Sequence, residues 1–314
     1  MGAGKIKVGV VGVGYLGKIH AQKYARIPEA ELVGVADTDK GRCQEVAAHT
    51  NCQPLYSHRD FLGQVKAVSI AVPTLSHYQI AKDFLLAGVD VLLEKPITAT
   101  VQEAKELNAL AREKGVIFQI GHLERFNGAL EGMNGVVKTP LLIESYRLSP
   151  FSGRGIDVDV TLDLMIHDID IILSIVRSEI ERVEAVGMPF CSPQIDVAHA
   201  CIIFKNGCVA HISASRIAHE KIRKMIILQE DSYLSVDYMK QSLMITRRGK
   251  AGRAGMQVDE VVRENDPLEM QLKAFLQSVH ERTPPVVTGE DGQRALEVAL
   301  QIADVIDKAM KGRG

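Results

Sequence analysis

The sequence contains no tryptophan, and aromatic residues of all kinds make up only 5% of its 314 residues. It also lacks an excess of charge, because 37 Lys and Arg stand against 39 Asp and Glu, for a formal net charge of −2. A chain without net positive charge gives no electrostatic reason to expect binding to nucleic acid or to an anionic membrane. Its longest apolar runs have only the length of strands, so no membrane-spanning helix is expected.

Cysteine is sparse as well. The five cysteines form no CxxC pair and are odd in number, which favours free thiols in a reducing compartment over a disulfide framework or a zinc site. The first apolar run begins at Ile6, which leaves no room for a signal peptide. A cytoplasmic protein is therefore expected, and its length favours two domains.

The first part of the chain alternates between strand and helix patterns. Apolar runs that predict strands lie at residues 6–11, 31–36, 67–72, 89–94 and 116–121. Strands that alternate with helices imply parallel pairing through right-handed crossovers. The expected fold is therefore α/β, with a doubly wound parallel (Rossmann) sheet over residues 1–122. Ligands bind such sheets outside the carboxyl ends of the strands.

The pattern changes after about residue 121. Extended runs joined by short turns follow, which indicates a largely antiparallel sheet with α+β character over residues 123–286. Longer helices are predicted near residues 162–176, 267–282 and 291–310. A basic loop at residues 247–253 is predicted to be solvated, with a phosphate contact as the alternative.

The turn after the first strand carries three glycines at dinucleotide-binding spacing. Gly12 permits the tight turn, Gly14 lets the backbone approach a pyrophosphate, and Gly17 allows close packing of helix on strand. The amides and dipole of the following helix then attract the phosphates. The alternative is a glycine-rich turn without a ligand.

An acidic residue stands at the position that the dinucleotide fingerprint requires. Asp37 ends the second predicted strand, where its carboxylate can accept hydrogen bonds from a ribose diol and would repel a 2′-phosphate. NAD is therefore favoured over NADP. Lys40 and Arg42 lie close enough in sequence to help bind a phosphate, so NADP stays possible.

A second turn, at residues 72–77, leaves another parallel strand and should reach the same edge of the sheet. Pro73 fixes this turn. Thr74 and His77 either line the cofactor site or belong to the start of the next helix, where Thr74 or Ser76 could serve as its cap.

Lys95 follows the strand predicted at residues 89–94 and precedes Pro96, which stops the strand. That position fixes an ammonium group at the carboxyl edge of the sheet. A protonated lysine can hydrogen-bond a substrate hydroxyl and polarise the carbonyl that forms from it. Taken alone, the residue is better interpreted as a solvated lysine at a strand end.

The second candidate cluster lies on the helix predicted at residues 162–176. Asp163 and His167 are four residues apart and share a helix face. A carboxylate that orients an imidazole makes a good general base, and Asp170 could support it. The alternatives are that Asp163 caps the helix and that His167 is structural. Metal binding is not expected, because no third ligand is evident.

Arg125 and Asn127 follow the last parallel strand, at the expected domain junction. Their side chains either bind polar groups of the substrate or cofactor or join the domains through a hydrogen bond or ion pair.

These residues resemble the oxidoreductase family that contains glucose-fructose oxidoreductase and inositol 2-dehydrogenase (Gfo/Idh/MocA), over nearly the whole chain. The segments that carry the likeness are residues 12–17, 72–77, 94–96 and 163–170. The resemblance implies that Lys95, Asp163 and His167 are catalytic. The residues implied at the cofactor are Gly12, Gly14, Tyr15, Leu16, Gly17, Asp37, Pro73, Thr74, His77, Glu94 and Lys95. Those expected at the substrate are Lys95, Arg125, Asn127, Asp163 and His167.

The family resemblance also implies an architecture and a substrate class. The second domain would be an open, mostly antiparallel sheet that forms homodimers or homotetramers, and a helix within residues 287–314 would pack back on the first domain. Residues 121–127 and 163–170 look most like the nucleotide-sugar members, which implies oxidation of UDP-N-acetylglucosamine at C3 with NAD.

Three other functions are compatible with parts of this pattern. They are a free-sugar or inositol dehydrogenase of the same family, a non-catalytic dinucleotide-binding regulator, and a reductase of a linear or tetrapyrrole carbonyl. Retention of Lys95, Asp163 and His167 argues against the regulator. Many relatives carry a glycine-rich run where this chain has residues 157–161, so this segment departs from the family pattern.

Overall fold

A computed structural model describes residues 4–153, 158–248 and 256–312. Within it the chain forms two compact units. The first comprises the residues up to Leu123 together with Leu268–Gln293, and the second comprises Glu124–Pro267 and the residues from Arg294 onward. The sequence had placed the first junction one residue earlier, at 122/123.

The first unit contains a six-stranded sheet with helices packed against it. Its strands are β1 (Ile6–Val11), β2 (Ala30–Ala36), β3 (Gln53–Leu55), β4 (Ala67–Ile70), β5 (Asp90–Glu94) and β6 (Phe118–Gly121). Its first helices are α1 (Tyr15–Tyr24), α2 (Lys40–Thr50), α3 (His77–Leu86) and α4 (Val101–Lys114). The strand order is β3-β2-β1-β4-β5-β6, and every pair is parallel. The predicted doubly wound parallel sheet is confirmed.

The elements α2 and β3 were not predicted. Asp39 caps α2 by accepting a hydrogen bond from the Arg42 amide, and Asn51 ends the helix in the left-handed region at φ 53°. These are ordinary signals of a helix start and stop. Helix α2 contains few apolar residues, so the hydrophobic periodicity that would predict a helix is weak, and the caps are its main signal.

The second unit contains an eight-stranded sheet in the order β14-β13-β12-β11-β7-β10-β9-β8. The strands are β7 (Leu142–Leu148), β8 (Ile180–Met188), β9 (Val197–Phe204), β10 (Val209–Ser215), β11 (Ile222–Gln229), β12 (Ser232–Asp237), β13 (Ser242–Arg248) and β14 (Met256–Val262). Only β7 and β10, among these described strands, pair in parallel. The mostly antiparallel sheet is confirmed, and β14 is an additional strand that the sequence had not indicated.

One face of this sheet forms the core of the second unit. Met225, Ile227, Leu234 and Val236 are fully buried there. The helices of this unit are α5 (Gly128–Glu131) and α6 (Ile166–Ile175), and α6 follows a π-helical turn at Thr161–Met165. Position 157 and most of the basic loop predicted at 247–253 lie outside the described residues.

The last two helices contribute their buried residues to different cores. Leu272, Phe275 and Leu276 of α7 (Pro267–Glu281) belong to the core of the first unit. Helix α8 (Gly289–Lys311) begins in the first unit, but its buried residues from Ala295 onward lie in the core of the second. Helix α7 therefore packs on the sheet of the first unit, because its buried face belongs to that core.

None of the helices in the described ranges is both long and apolar enough to cross a membrane.

Candidate active site

The glycine turn between β1 and α1 has the geometry that its spacing predicts. Gly12 has φ +81°, and a Cβ there would lie 2.6 Å from the Ala71 carbonyl oxygen. A Cβ at Gly17 would lie 1.8 Å from the carbonyl oxygen of Gly12. Both positions therefore exclude any side chain, the first also through its backbone conformation.

Gly14 differs from the other two. A Cβ built there has none of the described atoms within 4 Å, so this glycine is not needed for internal packing. It is the N-cap of α1, and the first turn of this helix carries no acidic residue. The first amides and the positive dipole end of α1 therefore face open space that can hold an anion. The turn fits a dinucleotide pyrophosphate.

A cavity of about 560 Å³ opens beside this turn, within the usual size range for ligand sites. Its lining residues are Val11, Gly12, Gly14, Ala36, Asp37, Thr38, Arg42, Tyr56, Ser57, His58, Ala71, Val72, Pro73, Ser76 and Ile80. Four of the predicted cofactor residues are among them, namely Gly12, Gly14, Asp37 and Pro73. Tyr56, Ser57 and His58 were missed because they follow β3, a three-residue strand with little signal of its own.

Asp37 is held in place at the end of β2. Its carboxylate accepts hydrogen bonds from the Val13 amide at 2.8 Å and the Asp39 amide at 2.9 Å. Nη2 of Arg42 lies 3.4 Å from the same carboxylate, and the Lys40 ammonium lies 5.3 Å from the centre of the Tyr56 ring. The carboxylate is thus fixed beside the glycine turn, with the Arg42 guanidinium close by.

Lys95 is partly buried directly after β5, while its neighbours Glu94 and Pro96 are buried. Glu94 pairs with Gly121 across β5 and β6, and a Cβ at Gly121 would lie 2.6 Å from Oε1 of Glu94. Nε2 of the fully buried His20 lies 3.3 Å from the same oxygen. Glu94 therefore packs into the first unit and does not line the cavity described above.

His77 is also inside the first unit, with 1% of its surface exposed. Its Nδ1 lies 2.8 Å from the Pro96 carbonyl oxygen, and its Nε2 lies 2.9 Å from the Val72 carbonyl oxygen. Burial lowers the pKa of His77, and these two carbonyls and Glu94 oppose that shift.

Ser76 occupies the N-cap position of α3 without a side-chain cap hydrogen bond in this described segment, so the alternative of a capping serine is wrong.

Asp163 and His167 lie on the segment that leads into α6, in the second unit. Asp163 is within the π-helical turn, and His167 is the second residue of α6. Both are partly exposed. The N-cap of the turn is Val160, so Asp163 is not the helix cap that the sequence had left possible.

The residue after His167 is part of a buried ion cluster. Asp168 accepts hydrogen bonds from Nε of Arg147 at 2.7 Å and from its Nη2 at 3.1 Å. Nη1 of Arg147 donates to Glu124 at 2.9 Å. Burial acts to lower the pKa of Arg147, but the two carboxylates raise it above the usual value. The guanidinium therefore stays charged and holds the start of α6.

Arg125 and Asn127 have partners within the second unit. Arg125 donates to both carboxylate oxygens of Asp170, from Nε at 2.6 Å and from Nη2 at 2.9 Å. Asn127 caps α5 by accepting from the Ala129 amide and donates to the Tyr238 carbonyl at 3.0 Å. The ion pair of Arg125 therefore lies within the second unit, where it anchors α6, and is not the pair between domains that the sequence suggests. A substrate contact by either residue stays a prediction.

The parallel sheet, its glycine turn and the cavity at its carboxyl edge define a dinucleotide-dependent oxidoreductase. The family model described as "Oxidoreductase family, NAD-binding Rossmann fold" matches residues 6–122, and the "GFO/IDH/MocA C-terminal domain" model matches residues 144–234. The chain belongs to the Gfo/Idh/MocA family of oxidoreductases, and the predicted family membership is confirmed.

Individual relatives are similar over their whole length. A UDP-N-acetylglucosamine 3-dehydrogenase of Acidithiobacillus ferrooxidans is 37% identical, over 96% of this chain and 97% of that protein. A solved structure of such an enzyme from the same organism has a TM-score of 0.93 and covers 97% of this chain and 98% of that one. A scyllo-inositol 2-dehydrogenase (NAD(+)) of Bacillus subtilis is 26% identical, over 94% of this chain and 92% of that protein.

Gly14→Ala should separate cofactor binding from folding. The added methyl group meets open space in the protein but occupies the region that a pyrophosphate would approach. We expect the Kd for NADH, measured by fluorescence titration, to rise about tenfold or more, a loss of about 1.4 kcal/mol. The unfolding midpoint should not fall.

Gly41→Ala is the matched control. Gly41 is exposed in α2, and a Cβ there would meet only Asp39 Oδ1, at 3.5 Å. NADH affinity should be unchanged in this variant. An unchanged affinity in Gly14→Ala as well would contradict the placement of the pyrophosphate.

Proposed function

We propose that this protein is an NAD-dependent dehydrogenase that oxidises the C3 hydroxyl of UDP-N-acetylglucosamine to a ketone. The observation that carries the proposal is the likeness to the Acidithiobacillus ferrooxidans enzyme, at 37% identity over 96% of the chain. The second candidate is an inositol or free-sugar dehydrogenase, favoured by the likeness to the Bacillus subtilis enzyme.

In this mechanism His167 and Lys95 both act on the hydroxyl group of the reacting alcohol. His167 accepts the hydroxyl proton, and Asp163, four residues earlier, orients the imidazole and stabilises its charged form. Lys95 donates a hydrogen bond to the same oxygen and so stabilises the negative charge that develops on it. NAD, when bound, supplies the carbon that takes the hydride. The alcohol thereby loses one proton and one hydride and becomes a ketone.

Other residues of the chain would bind the cofactor for this reaction. Gly14 and the amides of α1 would hold the pyrophosphate, and Asp37 would accept hydrogen bonds from the adenosine ribose. The fixed carboxylate of Asp37, with its two amide donors, supports a preference for NAD. Arg42 lies 3.4 Å from that carboxylate. Its guanidinium would balance the charge of the 2′-phosphate if NADP bound with lower affinity.

Steady-state assays with a panel of alcohols test the substrate. UDP-N-acetylglucosamine with NAD should give the highest kcat/KM, followed by absorbance of the reduced cofactor, and NADP should give a lower one. Free N-acetylglucosamine and the inositols should be poor substrates. Good turnover of an inositol without turnover of the nucleotide sugar would transfer the assignment to the second candidate. Tight NADH binding without turnover of any alcohol would favour the non-catalytic regulator.

Lys95→Ala and His167→Ala should each lower kcat by roughly 10²- to 10⁴-fold, the usual contribution of general acid–base catalysis. The Kd for NADH should change little. Because both groups act on one oxygen, the double variant should lose less than the product of the single losses.

Lys105→Ala and His219→Ala, at exposed positions, are the matched controls and should keep wild-type kcat. Wild-type turnover in either Lys95→Ala or His167→Ala would refute the catalytic assignment of that residue.

We further propose that the protein is a cytoplasmic homo-oligomer, a dimer or tetramer, that associates through the open face of the second sheet. Leu228, Tyr233 and Met244 are each 40–44% exposed on that face, and Leu228 and Tyr233 are direct cross-strand neighbours. An apolar patch on a sheet face is typical of an interface. The five cysteines, all described and all free thiols, support a reducing compartment.

A charge placed on this face should separate the subunits. Leu228→Asp combined with Tyr233→Asp should convert the oligomer to a monomer in light scattering, because unpaired carboxylates in an apolar interface are costly. Leu86→Asp, at a 50% exposed position of the first unit, should leave the mass unchanged. A monomeric wild-type protein would refute the proposed association.

A further inference from the structure

His77 contacts the turns that follow two neighbouring parallel strands of the first unit, β4 and β5. Strands β4 and β5 are neighbours in the sheet, and each ends in a turn that carries predicted site residues. The Val72 carbonyl oxygen, in the turn after β4, lies 2.9 Å from Nε2 of His77. The Pro96 carbonyl oxygen, in the turn after β5, lies 2.8 Å from Nδ1. One buried imidazole thus joins the two turns.

We propose that His77 is a positioning residue that ties the turn of Lys95 to the cofactor turn at Val72, one ring nitrogen serving each turn. The inference rests on the proposed role of Lys95 as a catalytic residue. The sequence suggests that His77 contacts the cofactor directly. Its side chain is only 1% exposed and does not line the described cavity, so the inferred role is to hold the two turns in place.

The two contacts bear on different functions. The Pro96 carbonyl is one peptide unit from Lys95, so a shift of that carbonyl redirects the lysine side chain. Val72 and Pro73 line the cavity, so a shift of the Val72 carbonyl moves the wall against which a dinucleotide would bind. A displacement of about 1 Å at a reacting group can cost roughly 10² in rate, whereas loss of one wall contact costs mainly affinity.

Histidine suits this place because its two nitrogens point in divergent directions from one rigid ring. A neutral imidazole donates through one nitrogen, and a protonated imidazole donates through both. Burial lowers the pKa of His77, while the two carbonyls and the nearby Glu94 act in the opposite direction. The amide of asparagine or of glutamine can place an N–H donor at the position of one ring nitrogen: Nδ2 of asparagine takes the place of Nδ1, and Nε2 of glutamine takes the place of Nε2.

The test compares His77→Asn with His77→Gln. His77→Asn retains a donor toward Pro96, so kcat should stay within about threefold of wild type while the Kd for NADH and the KM for NAD rise about three- to tenfold, the cost of one hydrogen bond. His77→Gln retains a donor toward Val72, so NADH affinity should stay within about twofold while kcat falls about 10- to 100-fold. His49→Gln, at an exposed position of α2, is the control and should change neither.

Equal losses of kcat and affinity in both variants would overturn the proposal, because a purely structural histidine would not separate the two constants. A second measurement does not depend on how the variants fold. In the wild-type chain labelled with ¹⁵N-histidine, a His77 ring N–H should exchange slowly with solvent, and rapid exchange of that proton would also overturn the proposal.

The same data distinguish failure of this inference from failure of the proposed function. If Lys95→Ala keeps wild-type turnover, the catalytic role of the lysine is wrong. If Lys95→Ala loses turnover while the two His77 variants show no separation of kcat from affinity, the function stands and only the positioning role falls.

Discussion

Parallel pairing of all six strands is the constraint on which the first unit depends. It brings the carboxyl ends of the strands to one edge, although the residues that follow them are spread widely along the sequence. Gly12 follows β1, Asp37 follows β2, Pro73 follows β4 and Lys95 follows β5. The turn after β1 can pack closely only if it carries no side chain at its tightest point. A Cβ at Gly17 would lie 1.8 Å from the Gly12 carbonyl oxygen, so only glycine fits there.

The second unit depends on a different kind of interaction. Arg147 is 2% exposed and is charged, so it must be surrounded by compensating groups; Asp168 and Glu124 supply two carboxylates. Removing one partner of such a buried pair typically costs about 3–5 kcal/mol. Because Asp168 is the residue after His167, the cluster also fixes the direction of the proposed base. The pair of Arg125 and Asp170 adds a second anchor, less than one helical turn further on.

Much of the fold was predictable because its signals are local. The buried strands appear as apolar runs, and the glycines of the first turn follow a strand at a fixed spacing. The partner of a helix is not local information. The apolar faces of α7 and α8 look alike in sequence, and only the packed structure assigns Phe275 to the first core and Ile302 to the second. The π-helical turn before α6 is equally hidden, since five residues carry no period that distinguishes it from an α-helix.

The sequence indicates which residue types could form a site, but not the hydrogen-bond partners of their polar groups. Arg125, Asn127 and His77 all carry side chains suited to ligands, and sequence alone could not weigh that use against an internal one. Buried polar atoms must find hydrogen-bond partners, and the structure supplies them from Asp170, a helix amide and two carbonyls. A side chain whose hydrogen-bonding groups are taken up in this way acts on a ligand chiefly by holding another residue in place. Lys95, Asp163 and His167 are partly exposed, so solvent, and therefore a substrate, can reach them, unlike the buried Asn127 and His77.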